Sequence, residues 1–154
     1  MKNILVVGAG GQIGSELIPF LRENYGSGNV VATDIDETKC KNLSDGPFEK
    51  LDATDGKHFA EIVKKYKIDA IYNMVALLSA TGEKNPELAW KINMGALENS
   101  LTIAKENKCA VFTPSSIGAF GPTTPLDNTP QDTVMQPTTI YGVCKVSGEL
   151  LSNY

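Results

Sequence analysis

The sequence predicts an α/β fold built on an open, doubly wound parallel sheet. Three observations predict it. Short β-branched runs alternate with longer amphipathic stretches along the chain. The predicted strands are apolar along their whole length rather than at every second residue, as expected of strands covered on both faces. A glycine-rich turn follows the first strand directly and opens the first helix, Gly8-Ala9-Gly10-Gly11-Gln12-Ile13-Gly14.

The elements read in order as follows. Residues 3–7 form a first strand and 12–24 a helix. A second strand spans 29–33 and ends at Asp34, and a third, weaker one spans 47–51. Residues 57–66 place Phe59, Ile62, Val63 and Tyr66 on one face of a helix. A fourth strand covers 69–75. Residues 86–108 carry Leu88, Ala89, Ile92, Ala96, Leu97, Leu101 and Ala104 at helical spacing, which makes one long helix. A fifth strand, 109–113, leads through a Pro/Thr-rich irregular stretch, 121–139, to a last helical pattern over 140–154. Connections between parallel strands are right-handed crossovers, and ligands of such sheets bind beyond the carboxyl ends of the strands.

Composition narrows the function classes. The chain has 154 residues, 42% hydrophobic and 21% charged, with fourteen basic and eighteen acidic side chains for a net charge of −4. That is globular composition for one domain, without the basic field that a nucleic-acid or membrane-surface binder needs. Its apolar runs are strand-sized. Cys40, Cys109 and Cys144 are far apart and outside C-x-x-C spacing, which points to reduced thiols in a cytoplasmic protein. His58 is the only histidine, and no cysteine or acidic cluster stands at ligand spacing, so no metal site is expected.

The glycine turn has G-x-x-G-x-x-G spacing. Gly8 permits the tight turn, Gly11 leaves room for a diphosphate to approach the backbone, and Gly14 lets the helix pack closely on the sheet. The free N–H groups at the helix start, around Gln12 and Ile13, suit an anion. Asp34 closes the second strand twenty residues after Gly14. A carboxylate there accepts hydrogen bonds from adenosine ribose hydroxyls and repels a 2′-phosphate. Ile35 and Asp36 supply no cation to offset that repulsion, so the expected cofactor is NAD rather than NADP.

Tyr141-Gly142-Val143-Cys144-Lys145 is Y-x-x-x-K on a helix, with phenol and ammonium on one face. A free phenol titrates near pH 10, so acting as a base near neutrality requires roughly 4 kcal/mol of differential stabilisation. Lys145 and a cationic nicotinamide ring are sources for it. Pro114-Ser115-Ser116 ends the fifth strand, where a serine can hydrogen-bond a substrate oxygen near the tyrosine.

At these residues the chain resembles the extended short-chain dehydrogenase/reductase family, which includes the NAD-dependent sugar-nucleotide epimerases and dehydratases. The resemblance implies a Rossmann-like fold with Tyr141 as general base, Lys145 on the nicotinamide ribose, and Ser116 orienting the reacting hydroxyl. It also implies cofactor roles for Asn93 on the long helix, for Asp52 and Ala53 at the adenine edge, and for Ala76 and Leu77 beneath the cofactor. Within that family, Ala76-Leu77-Leu78-Ser79-Ala80, Asn85-Pro86-Glu87-Leu88-Ala89-Trp90, the run from Thr113 to Gly121 and the run from Gln136 to Gly142 look like the short-chain type of L-threonine 3-dehydrogenases. The implied reaction is oxidation of the threonine β-hydroxyl to 2-amino-3-ketobutyrate with hydride passing to NAD, and Ser79 is a substrate contact. A sugar-nucleotide epimerase or dehydratase and a non-catalytic NAD-binding module are the competing readings. The resemblance implies a homodimer through the long helix and the Y-x-x-x-K helix, with Trp90 near the interface. Family members are about twice this length. Residues 1–154 are therefore expected to be an incomplete NAD-binding domain, lacking later strands and a smaller substrate domain, with little or no turnover alone.

Overall fold

A parallel sheet of five strands carries the fold in the computed structural model, which describes residues 2–154. The strands are β1 (Ile4–Val7), β2 (Val30–Asp34), β3 (Phe48–Lys50), β4 (Ala70–Asn73) and β5 (Ala110–Phe112), in the order β3-β2-β1-β4-β5. All four pairings are parallel, with Ile4 opposite both Val30 and Ala70. The helices are α1 (Gln12–Tyr25), α2 (Gly56–Lys65), α3 (Ser79–Gly82), α4 (Pro86–Asn107) and α5 (Ile140–Asn153). The doubly wound α/β class read from the sequence is the observed one.

The described residues group into two compact units, one comprising those up to Val75 with Gly95–Pro114, the other Ala76–Met94 with Ser115–Tyr154. The whole sheet belongs to the first unit. Its central strand is buried on both faces because adjacent side chains alternate in direction. Ile4 and Val6 pack with Ile18 and Leu21 of α1, and with Val30 and Ala32 of β2. Leu5 and Val7 pack with Phe59, Ile62 and Val63 of α2, and with Ala96, Ile103 and Ala104 of α4. Each fully buried aliphatic or aromatic side chain in these layers contributes about 1.5–3 kcal/mol.

The element ends differ from expectation by one or two residues, and the cause is visible at α2 and α4. Neither helix stops on a glycine. Lys67 (φ 50°) and Lys108 (φ 57°) take the left-handed conformation instead. The next residues close the helices, Ile68 N–H donating to the Val63 carbonyl and Cys109 N–H to that of Ala104. This is the Schellman arrangement, with a cation in the glycine's usual place, where it also meets the negative end of the helix dipole. Helix α3 and the 3₁₀ turns Glu37–Leu43 and Ile117–Ala119 lie outside the predicted elements, and a further 3₁₀ turn, Ser27–Asn29, takes the first residue of the predicted second strand.

Arg22 of α1 is 3% exposed. Its guanidinium donates to the carbonyls of Val30, Leu43 and Pro47 and pairs with Asp45. It thereby joins the start of β2 to two carbonyls of the connection between β2 and β3. A Cβ at Gly46 would fall 2.6 Å from its Nε, so the turn beside it is restricted to glycine.

Helix α1 crosses the loop after β1 with no side chain between them. A Cβ at Gly14 would stand 2.4 Å from the Gly8 carbonyl oxygen and 2.7 Å from Ala9 Cα. Both are backbone atoms of a buried turn, so relief requires moving the helix. Gly14→Ala is expected to cost roughly 3 kcal/mol or more in urea unfolding; a loss under about 1 kcal/mol contradicts the close crossing.

Candidate functional site

In the first unit, the candidate site is the rim formed by the β1–α1 loop and the end of β2. Gly8 has φ +85°. A Cβ there would lie 3.1 Å from the backbone of Met74 and Val75, so both shape and conformation demand glycine. The loop is tied to β2 by Gly8 and Ala9 N–H groups, which both donate to the Thr33 carbonyl at 2.9 Å. Gly11 is the N-cap of α1, and no side chain caps the helix start and no acid stands in its first turn. Gly11, Gln12 and Ile13 are exposed, and a Cβ at Gly11 would meet only the Gly8 carbonyl oxygen, at 3.3 Å. This is an open helix N-terminus of the kind that takes an anion.

Asp34 is half-buried at the end of β2. Its Oδ2 accepts the Gly10 N–H and its Oδ1 accepts the Asp36 N–H, both at 2.9 Å. The carboxylate thus closes the glycine loop onto β2, and each oxygen keeps a second lone pair for a hydroxyl donor. Gly10, which the spacing did not single out, also leaves no room for a side chain, since its Cβ would stand 2.7 Å from Lys39 Cβ and 3.1 Å from Asp34 Oδ2. The fold also brings a cation to this rim that its sequence neighbours did not supply. Lys39 Nζ lies 3.9 Å from Asp36, whose carboxyl is held below the usual range by the hydroxyl and N–H of Thr38. Asp52, exposed beyond β3, accepts from Thr54 N–H (2.9 Å) and Oγ1 (2.7 Å). The Ala53 carbonyl accepts from Asn99 at 2.9 Å.

These groups fit a dinucleotide. The open N-terminus of α1 suits its diphosphate, and Asp34 suits a ribose diol.

The second unit holds the Ser–Tyr–Lys set. Tyr141 and Lys145 sit one turn apart on α5, with Lys145 Nζ 5.4 Å from the centre of the Tyr141 ring. Burial pushes the Lys145 ammonium below its ordinary value. Two side chains cap α5. Thr139 Oγ1 accepts the Gly142 N–H at 3.0 Å, and Glu83, just beyond α3, accepts the Ile140 N–H at 2.7 Å. The loop with Ser116 lies against this first turn. A Cβ at Gly142 would fall 2.1 Å from the Gly118 carbonyl oxygen. Ser116 Oγ accepts the Gly118 N–H at 3.1 Å.

Ser116 and Tyr141 share a cavity of ≈ 310 Å³ with Ser79. Thr138 and Thr139 add two further hydroxyls, and Ile117 and Phe120 give it apolar wall. The two threonines were missed in the sequence because they lie in the irregular stretch, with no periodicity to mark them. Asn93 is 9% exposed, not a surface amide. Its Oδ1 accepts the Leu77 N–H at 2.6 Å and its Nδ2 donates to the Leu77 carbonyl at 3.1 Å, as a neighbouring strand would. It fixes the Ala76–Leu77 segment to α4. The Cys144 thiol, which burial raises above its ordinary pKa, also meets Asn93.

Among the described residues no group of three or more His, Cys, Asp or Glu could hold a metal ion. No described helix is long and apolar enough to cross a membrane.

Comparison with known proteins gives consistent relatives. An uncharacterized epimerase/dehydratase of Staphylococcus saprophyticus is 56% identical over the whole chain, which covers 48% of that relative. The L-threonine dehydrogenase structure from Clostridium difficile superposes with a TM-score of 0.96 at 52% identity, over 100% of this chain and 49% of that one. The holo form of a GalE-like L-threonine dehydrogenase from Cupriavidus necator gives 0.93 at 48% identity, over 98% and 49%. The chain therefore spans about half the length of the relatives it matches. The family model for NAD dependent epimerases/dehydratases matches residues 4–154, and the chain belongs to that family.

Proposed function

We propose that this chain is the cofactor-binding part of an NAD-dependent oxidoreductase that converts L-threonine to 2-amino-3-ketobutyrate. The observation that carries the choice of substrate is the likeness, at about half identity, to L-threonine dehydrogenase structures, and the cavity around Tyr141 is compatible with it. Among the described residues that line the cavity, Ser79, Ser116, Thr138, Thr139 and Tyr141 carry hydroxyls and none is ionised. A nucleoside-diphosphate sugar calls for cations or an open helix start at its phosphates. Neutral donors and acceptors around Tyr141 suit the hydroxyl-bearing end of a small substrate.

When bound, a nicotinamide dinucleotide supplies the hydride acceptor. The chain's own residues do the rest. Gly8, Gly11, Gln12, Ile13 and Gly14 take the diphosphate, and Asp34 the adenosine ribose. Asp52 and Ala53 flank the adenine, with Ala76, Leu77 and Asn93 completing the cofactor contacts. Tyr141 removes the proton from the β-hydroxyl while Ser116 holds that oxygen, and Ser79 contacts the amino-acid portion. Lys145 holds the nicotinamide ribose, and its ammonium favours the phenolate. Removal of the proton from the hydroxyl oxygen and loss of hydride from the carbon that bears it leave the ketone. In this reading the protein works in the cytoplasm as a homodimer, with Trp90, 45% exposed on α4, near the interface.

In the full-length gene product, L-threonine is expected to drive NADH formation, and Tyr141→Phe to lower the rate by about 10²–10⁴-fold. NADH formation undiminished in Tyr141→Phe contradicts the base assignment. Sugar-nucleotide epimerisation with no response to threonine contradicts the substrate.

Lys145 yields a pH prediction. The fold favours its neutral form, so the unfolded chain binds more protons between the depressed value and the ordinary 10.5. Stability therefore gains from this group as pH rises through that window. Denaturant midpoints measured across alkaline pH should show that slope in the parent and lose it in Lys145→Met; equal slopes contradict the burial of the ammonium.

A further inference from the structure

We infer that Glu149 is a positioning residue for Ser116 and Tyr141, acting through the hydroxyl of Ser115. Ser115 Oγ donates a hydrogen bond to the Glu149 carboxylate across thirty-four residues of sequence. Hydroxyl-to-carboxylate bonds are among the stronger ones a protein makes. Glu149 stands on α5 four residues beyond Lys145 and eight beyond Tyr141, so the three share one side of the helix.

The segment next to Ser115 has a second anchor on the same helix. Ser116 is extended (φ −159°, ψ 152°), and its hydroxyl oxygen accepts the Gly118 N–H. Gly118 lies under the reactive phenol, where an added Cβ would stand 3.3 Å from Tyr141 Cδ1. Its carbonyl is the group that excludes a side chain at Gly142. The loop is therefore held at Gly142 and at Glu149, about 10 Å apart along the axis at a helical rise of ~1.5 Å per residue. One anchor alone leaves the loop free to pivot; two fix the direction in which Ser116 points.

The catalytic meaning of this brace rests on the proposed function, in which Ser116 and Tyr141 share one substrate oxygen. A misplacement of about 1 Å in such a pair can cost on the order of 10²-fold in rate. Ser115 is exposed and Glu149 half-buried. The bond's contribution to global stability is accordingly small, and its effect is local.

The test uses the 154-residue chain without cofactor or substrate, so its outcome is independent of whether threonine is the substrate. Amide hydrogen exchange and chemical shifts are compared in Ser115→Ala, Glu149→Leu, Ser115→Thr and Glu149→Gln. Thr retains the donor, and Gln retains an acceptor. Ser115→Ala and Glu149→Leu are expected to speed exchange at the Gly118 amide by about five- to tenfold and to shift the Tyr141 ring resonances. Ser115→Thr and Glu149→Gln should stay near the parent, and Val6 and Ile71 in the sheet should be unaffected in all four. Ser115→Ala, a surface change, keeps the test open should Glu149→Leu fold poorly. Gly118 exchange and Tyr141 shifts like the parent's in Ser115→Ala overturn the inference. So does faster exchange shared equally by Val6 and Ile71, or Ser115→Thr behaving like Ser115→Ala.

Discussion

The structure depends on helix starts laid directly on loop backbone, with no Cβ between them. It happens twice. In the first unit the opening turn of α1 meets the Gly8 carbonyl at Gly14. In the second the opening turn of α5 meets the Gly118 carbonyl at Gly142. In each case a side chain at the crossing would drive the helix from the loop, and in each case the loop and helix start together carry candidate functional groups. The first contact shapes the rim with Asp34 and the open N-terminus of α1. The second sets Ser116 beside Tyr141. Close-packed backbone has few ways to yield, so the absence of atoms at both places sets how near helix and loop come, and the bonds around each crossing set the direction.

Around these crossings, polar side chains stand in for backbone partners. Asp34 accepts two loop amides, Asn93 pairs with both polar groups of Leu77, and Arg22 takes the carbonyls of Leu43 and Pro47. Each gives a partner to backbone groups of the connecting segments.

Much of this was legible because periodicity reports burial. Phe59, Ile62 and Val63 marked the buried face of α2, and the all-apolar β1 marked a strand covered on both sides. The Tyr141–Lys145 spacing marked a shared helix face. Other features left no local trace. Helix ends at Lys67 and Lys108 rest on left-handed lysines where glycine is the usual sign. Helix α3 is four residues long, too short for any pattern. The bond from Ser115 to Glu149, the cap from Glu83 to Ile140 and the cavity hydroxyls of Thr138 and Thr139 join residues distant in sequence or set in irregular chain. Such pairings follow from the fold, so composition and spacing cannot announce them. Lys39 is the instructive case, since a cation absent from the immediate neighbours of Asp34 reaches the same rim through the turn that follows β2.

Whether this rim selects NAD through Asp34 is the claim on which the functional account stands, and calorimetric titration of the 154-residue chain measures it. The account predicts that NAD binds, that NADP binds at least about tenfold more weakly, and that Asp34→Ala weakens NAD binding by a similar factor, the value of one charged hydrogen bond. Heat from NADP at equal or higher affinity, or no binding of NAD at all, would contradict it.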